Sequence, residues 1–369
     1  MNLGPRSMSE ERSSEKDSCS CLSHADGTAG RERESRLMGE RANLVVVQSS
    51  QWELYYSHWC AGSLACDLFW GPVHAERFIR IQRPSAPDEW LDTVWAEGGA
   101  VLDLDRRSLL FFGGGDFLYD APLRRMLLRL MKPLWEGWTI QWAYEGIVAI
   151  AEAVGVSRST VIAARNSSEE PPPSWETPEE RSWVQTIGCI ERDGELRIYP
   201  LGLLAEDYLT SGPRLLSSPG VETGFPALRL RDWTSDFPSG GFSIDVSAQT
   251  LDFWTAAPNL LAEIQAAWDG WTVVWNQDLY ETQLARCRGK LQLEGPPRAE
   301  IIGNLRRRLS HDPRPVNLAD LVQRIAPMDQ TVQINAYALR DDRLPVAESD
   351  RLSLFDWAVA RLEAEESEK

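Results

Sequence analysis

The sequence predicts an α+β fold made of two degenerate copies of a hairpin-helix-strand-helix module, followed by a small C-terminal α/β segment. Three observations carry this expectation. The first is a pair of matching stretches, Trp135-Glu-Gly-Trp-Thr-Ile-Gln-Trp142 and Trp268-Asp-Gly-Trp-Thr-Val-Val-Trp275. The second is a pair of glycine-led apolar runs, Gly98-Gly-Ala-Val-Leu-Asp103 and Gly240-Gly-Phe-Ser-Ile-Asp245. The third is the alternation of period-2 and helical-period apolar patterning around both.

Taken in order, residues 1–41 are rich in Ser, Glu and Arg and nearly devoid of aliphatics, as expected of a disordered tail. Met38, just before the first strand pattern, is an alternative natural start to Met1. Cys19, Cys21 and His24 supply too few ligands for a zinc site. The first module spans 42–166. Asn43 to Val47 and Trp52 to His58 read as strands joined at Gln48-Ser-Ser50. Asp67 to Ile81 reads as a helix that Gly71-Pro72 breaks or restarts, and 83–93 as loop plus a short helix. Gly98 to Phe112 alternates as a hairpin turning at Asp105-Arg-Arg107. Pro122 opens an amphipathic helix through Met131, with Leu123, Met126, Leu127 and Leu130 on one stripe. A strand over 138–142 and a helix over 145–154 complete the module.

Residues 167–181, with Pro171-Pro-Pro173, read as a stiff linker. The second module spans 182–298. It opens with a hairpin turning at Asp193-Gly194, a strong signal between alternating apolar runs. Pro258 to Ala267 then reads as the helix preceding the second tryptophan motif. Asp245 follows Asp103 by 142 residues but Trp268 follows Trp135 by 133. The first copy is therefore longer between hairpin and helix, where Gly113-Gly-Gly-Asp116 and Asp120 lie. Over 299–369 the pattern gives a helix at 318–325, a strand at 331–339 and a helix at 352–363. An isolated module leaves one apolar sheet face uncovered, and pairing two copies covers it.

Composition narrows the function classes. The 369 residues carry a net charge of -17, which argues against broad phosphate-backbone binding and so against a nucleic-acid partner. Hydrophobic residues make up 43%, enough to bury a sizeable core. No apolar run is long enough to span a membrane and no signal peptide is legible. Six irregularly spaced cysteines do not form a disulfide framework, so cytoplasmic residence with reduced thiols is expected. Sixteen tryptophans suit both cores and binding surfaces.

Three constellations are candidate sites. Tyr55-Tyr56-Ser-His58-Trp-Cys60, with Cys66, Trp70 and His74 shortly after, places polar reactive groups among aromatics. A thiolate at Cys60 or Cys66 activated by His58 or His74 would suit a hydrolase. Buried thiols and a hydrogen-bonded core histidine fit the same residues. The second constellation is acidic. Asp103 and Asp105 share a strand face, and Asp116 and Asp120 follow the glycines, an arrangement able to approach a ligand closely or, with His74, a divalent cation. Turn-forming aspartates are the alternative, and no metal ligand is assigned.

The third is Ile150-Ala-Glu-Ala-Val-Gly-Val-Ser-Arg-Ser-Thr-Val161. It resembles the helix-turn-helix start of LacI-type repressors. That resemblance implies a first helix ending before Gly155 and a groove-entering helix opened by Ser157, Arg158, Ser159 and Thr160. An ordinary glycine-terminated helix followed by a serine cap gives the same residues.

No phosphate loop, dinucleotide fingerprint or serine elbow is present, and no cofactor is indicated. The expected function is a non-catalytic protein-interaction module with another protein as partner, a basic one neutralised by it being one form this could take. A cysteine- or metal-dependent hydrolase with its site in the first module is the alternative. A helix-turn-helix regulator is the third reading.

Overall fold

Short alternating strands and amphipathic helices assemble into two mixed sheets clothed by helices, an α+β architecture. The computed structural model describes residues 40–163, 171–179, 181–234, 236–258, 261–310 and 348–367. The Cys19, Cys21 and His24 group, the expected helix at 318–325 and the expected strand at 331–339 lie outside the described residues.

The first sheet begins with β1 (Ala42–Gln48) and β2 (Gln51–Ser57), an antiparallel hairpin. Helices α1 (Leu64–Leu68) and α2 (Pro72–Arg80) follow, parted at Gly71, whose φ of 98° no helix accepts. The short helix expected within 83–93 is not formed. Its place is taken by β3 (Arg83–Ser85), which pairs with β2, and by turns that leave Asn43 Oδ1 to accept the Leu91 amide at 2.7 Å. Next come β4 (Gly98–Asp103), β5 (Ser108–Phe112), α3 (Ala121–Leu134), β6 (Thr139–Trp142), α4 (Ile147–Ala153) and α5 (Arg158–Val161). The strand order is β3-β2-β1-β4-β5-β6.

The second sheet uses β7 (Thr186–Arg192), β8 (Glu195–Leu201), β10 (Gly240–Asp245), β11 (Thr250–Thr255) and β12 (Thr272–Trp275), in the order β12-β11-β10-β7-β8. Helix α6 (Ala205–Leu209) follows its first hairpin, α7 (Leu261–Ala267) precedes β12, and α8 (Glu281–Arg286) follows it. A two-residue strand β9 (Leu228–Arg229) pairs with β13 (Leu291–Gln292).

The five strands β2-β1-β4-β5-β6 and β8-β7-β10-β11-β12 run in the same relative directions. In each, the central pair is parallel (β1 with β4, β7 with β10), both hairpins are antiparallel, and the last strand pairs parallel. The registers also match: Ala42 faces Gly98 and Thr186 faces Gly240.

Successive strand residues point to opposite faces, and the paired glycines mark where helices close on the sheet. A Cβ on Gly98 would meet Leu64 of α1 at 3.3 Å, while one on Gly99 would meet Ile150 of α4 at 3.1 Å. On Gly240 it would meet Ala205 of α6 at 3.1 Å, and on Gly241 it would meet Gln283 of α8 at 2.2 Å. Each sheet thus carries a helix on both faces at the same position, and all six residues of β4 are buried.

The tryptophan motif is a packing device. Trp135 and Trp268 are fully buried, and each stacks edge-on with its second tryptophan. The Trp135 indole N–H donates to the Phe69 carbonyl at 3.3 Å, just past α1. That of Trp268 donates to the Leu209 carbonyl at 2.7 Å, at the end of α6. Each indole therefore satisfies a carbonyl that a helix C-terminus leaves open. Gly137 and Gly270, at φ 78° and 79°, make the turn between the two rings.

Trp175, inside the segment expected to be linker, is fully buried in the second core. Its indole N–H donates to the Leu215 carbonyl at 2.7 Å, and its ring packs against Tyr199 and Phe242. The C-terminal helices α9 (Arg298–Ser310) and α10 (Glu348–Ser367) return to α3. Leu305, Leu309, Phe355 and Leu362 join the first sheet's core there.

Candidate functional site

β2 ends at Ser57, beside the start of β1, because Ala42 pairs with Ser57. Tyr56 and His58 therefore lie at the Gly98 end of β4. Tyr55 is buried and donates its hydroxyl to Glu53 at 2.7 Å. Burial first, and then the Glu53 hydrogen bond, push its pKa up. Tyr56 OH and His58 Nδ1 lie 2.8 Å apart, so that ring nitrogen is engaged. Burial first, and the Arg41 charge second, pull the His58 pKa down. Cys60 is buried in the loop leading to α1, and Trp70 is buried edge-on against Phe69. The residue Cys66 is only partly covered, but its sulfur faces the Arg308 carbonyl in the packing between α1 and α9, and burial pushes the thiol up to about 12. His74, in the first turn of α2, is lowered by burial and then by Arg77. The two histidines thus answer to different surroundings.

The acidic constellation divides between the two ends of the sheet. Asp103 ends β4 and accepts the Arg106 amide at 2.8 Å. Asp105 reaches across to the tip of the first hairpin, where it accepts the amides of Ser49 (2.9 Å) and Ser50 (2.8 Å). These two backbone bonds hold its carboxyl below the usual carboxylate range. Both residues serve turns. Six residues of β4 put them roughly 17 Å from the His58 end, so Asp103 and Asp105 do not share a cleft with His58.

Asp116 and Asp120 sit at the other end, after the glycines. Gly113–Gly115 admits neighbouring chain: a Cβ on Gly114 would lie 2.7 Å from that of Ala65, and the Gly114 amide donates to the Ala61 carbonyl at 2.6 Å. Asp116 pairs with Arg308. Asp120 caps α3 by accepting the Leu123 amide at 2.8 Å, and burial raises its pKa. Among the described residues, no group of three or more His, Cys, Asp and Glu is placed to hold a metal ion.

At the third constellation, α4 ends at Ala153, Gly155 turns the chain at φ 79°, and Ser157 caps α5. Helix α5 has four residues, fewer than a groove-entering helix presents. Its Arg158 is taken up by Glu145 at 3.0 Å and Glu152 at 3.5 Å. In the Arg306–Arg308 run, Arg306 is likewise taken up by Asp356 at 2.9 Å and Arg308 by Asp116.

Two features escaped sequence reading. One is an exposed aromatic corner around His58. Trp59 is 64% exposed, Val94 64% and Trp95 43%. The His58 and Trp59 rings meet edge-on at 4.6 Å, and Arg41, which acts on His58, stacks over Trp95 at 4.6 Å. Glu40, Asp88, Glu89 and Glu97 are exposed along the same stretches of chain. A run of polar letters ending in Trp-Cys gave no sign of which ring faces water.

The other is a polar seam between α3 and the segment after β12. Arg124 of α3 is fully buried, reaches Asp278 at 2.7 Å and the Ala256 carbonyl at 2.7 Å, and lies over the Trp142 ring at 4.6 Å. Burial lowers its pKa, against the pull of Asp278. Arg125 binds the other Asp278 oxygen at 3.2 Å and Glu281 at 2.6 Å. Nothing in the sequence pointed from Arg124 to a partner 154 residues on.

Comparison of the chain with known protein families, curated proteins and solved structures gives no match. Among the described residues, no helix is long and apolar enough to cross a membrane.

Proposed function

We propose that the chain is a non-catalytic protein-interaction module, a degenerate duplication acting in the cytoplasm, whose binding surface is the aromatic corner of Trp59, Val94 and Trp95. The carrying observation is the exposure of these three large apolar side chains, with Trp59 against the His58 ring and Trp95 under Arg41. Tryptophans freed from a core and rimmed by charge are the residues that dominate binding energy at interfaces. A basic protein is the partner suited to a net charge of -17 and to the acidic groups flanking the corner. Matching strand orders and matching Trp135 and Trp268 hydrogen bonds support the duplication.

The hydrolase reading draws less support. A Cys66 thiol pushed up to about 12 is a poor nucleophile near neutrality, and His58 is engaged by Tyr56.

The test is affinity capture at low salt with the intact chain and with a Trp59→Ala/Trp95→Ala variant. A basic protein retained by the intact chain and weakened roughly 30-fold or more by the double substitution is expected. Capture of no specific partner, or equal capture by the variant, overturns the reading.

A further inference from the structure

The second sheet carries a thiol pair remote from the aromatic corner. Cys189 lies within β7, and Cys287 directly follows α8; their sulfurs are 3.4 Å apart across 98 residues of sequence. Both side chains are fully buried. Both border a cavity of about 20 Å³ whose wall includes Glu191, Ser243 and Arg286, room enough for one water-sized molecule. Ser243, whose hydroxyl bears on Cys189, adds a buried polar group to that wall. Two thiols serving only as small core residues would need neither the cavity nor its polar lining.

We propose that Cys189 and Cys287 are an oxidative modification site, a dithiol that hydrogen peroxide converts to an intramolecular disulfide. The Cys287 thiolate attacks one peroxide oxygen. An S–O bond forms, the O–O bond breaks, and the departing hydroxide takes a proton to become water. Cys189 sulfur then attacks the Cys287 sulfenic acid. The S–S bond forms, the S–O bond breaks, and the second water leaves. Two thiols lose two electrons in all, and hydrogen peroxide is reduced to two waters.

The roles follow from the contact itself. The hydrogen bond given by Cys189 raises its own pKa and lowers that of Cys287, against the upward push of burial and the Glu191 charge. A disulfide needs about 2.05 Å between sulfurs, so the pair closes by about 1.4 Å, within reach of side-chain rotation.

The experiment uses the full chain with Cys19→Ser and Cys21→Ser, leaving Cys60 and Cys66 as internal controls. Hydrogen peroxide is titrated in, and peptides are mapped without reduction. The expected result is one linked peptide pair, Cys189 with Cys287, reversed by dithiothreitol, with Tm raised by roughly 5–10 °C in the oxidised form. In a Cys189→Ser variant, or Cys189→Ala should serine lower the folded yield, dimedone labels Cys287. Both cysteines remaining alkylatable thiols after peroxide, or cross-links formed with Cys60 or Cys66 instead, would overturn the assignment.

Discussion

Asp278 holds Arg124 and Arg125 at once, one on each carboxylate oxygen, with Arg124 at 2.7 Å and sealed from solvent. A charge buried in this way is tolerable only while its partner remains. Asp278→Asn leaves the Arg124 guanidinium uncompensated and is expected to destabilise the chain by about 3–5 kcal/mol in urea denaturation. Arg124→Met combined with Asp278→Leu should cost much less than the sum of the single changes. A loss under about 1 kcal/mol for Asp278→Asn would mean that the seam contributes little to holding α3 against the segment after β12.

The two tryptophan anchors should behave alike. Trp135→Phe and Trp268→Phe each remove one indole hydrogen bond to a helix-terminal carbonyl and part of a buried ring, so each should cost about 1–3 kcal/mol. Trp138→Phe and Trp271→Phe, at half-buried rings, should cost less. Unequal losses at Trp135 and Trp268, measured as ΔG of unfolding, would separate the two sites in role.

Glycine substitutions are expected to have opposite signs. Gly241→Ala drives a methyl to 2.2 Å from Gln283 Oε1 and 2.6 Å from Trp254 Nε1, atoms already joined by a hydrogen bond of 2.8 Å. Overpacking of this kind costs about 1–3 kcal/mol. Gly303, exposed in α9 with nothing within 4 Å of an added Cβ, should accept alanine with a gain of about 0.5–1 kcal/mol. Thermal unfolding of the two variants decides both signs.

Asp120 gives a signed dependence on pH. Burial raises its pKa above the ordinary 3.8 in the folded chain. The folded state therefore holds this proton to higher pH than the unfolded one, and the group's contribution to stability falls as pH rises between the two values. Asp120→Asn keeps a good cap without the buried charge. It should match or exceed the parent at pH 7, with the difference shrinking below the raised value. Asp120→Ala should lose about 1 kcal/mol through the cap.

The histidines act in the opposite sense. His58 and His74 are both lowered from 6.5, chiefly by burial. Their contribution is present above that value and is lost as pH falls from 6.5 through the lower folded values. A His58→Gln/His74→Gln variant should show a flatter stability profile across that range. An unchanged slope in denaturation at stepped pH would argue that neither ring is held neutral by the fold.

Local features of the fold were legible from the chain. The hairpin over 98–112 and that at Asp193-Gly194 followed from alternation interrupted by turn residues, and α3 followed from its apolar stripe. What was not legible is non-local. The parallel pairing of β1 with β4 crosses two helices and an edge strand. Trp175 lies among prolines that speak only for stiffness, although its side chain fills the second core. At the candidate sites, Cys60, His58 and Cys66 read as reactive because they are close in sequence, whereas their chemistry depends on what covers them. The Cys189 and Cys287 pair had no spacing to betray it. Ile150 and Gln283 show the same limit: each faces the second glycine of its sheet, and one is apolar while the other donates to the Ile187 and Phe242 carbonyls.

The return of α9 and α10 to α3 makes the segment that builds the second sheet, in effect, an insertion within the first core. A ribosome delivers β1 through α5 long before the residues that cover α3. Leu127, Leu130 and Met131 belong to the same core as Leu305, Leu309, Phe355 and Leu362, so the first core closes only after its final helix has emerged. A nascent chain halted after Leu293 would carry a complete second core and an uncovered α3, a sticky surface of the kind chaperones bind.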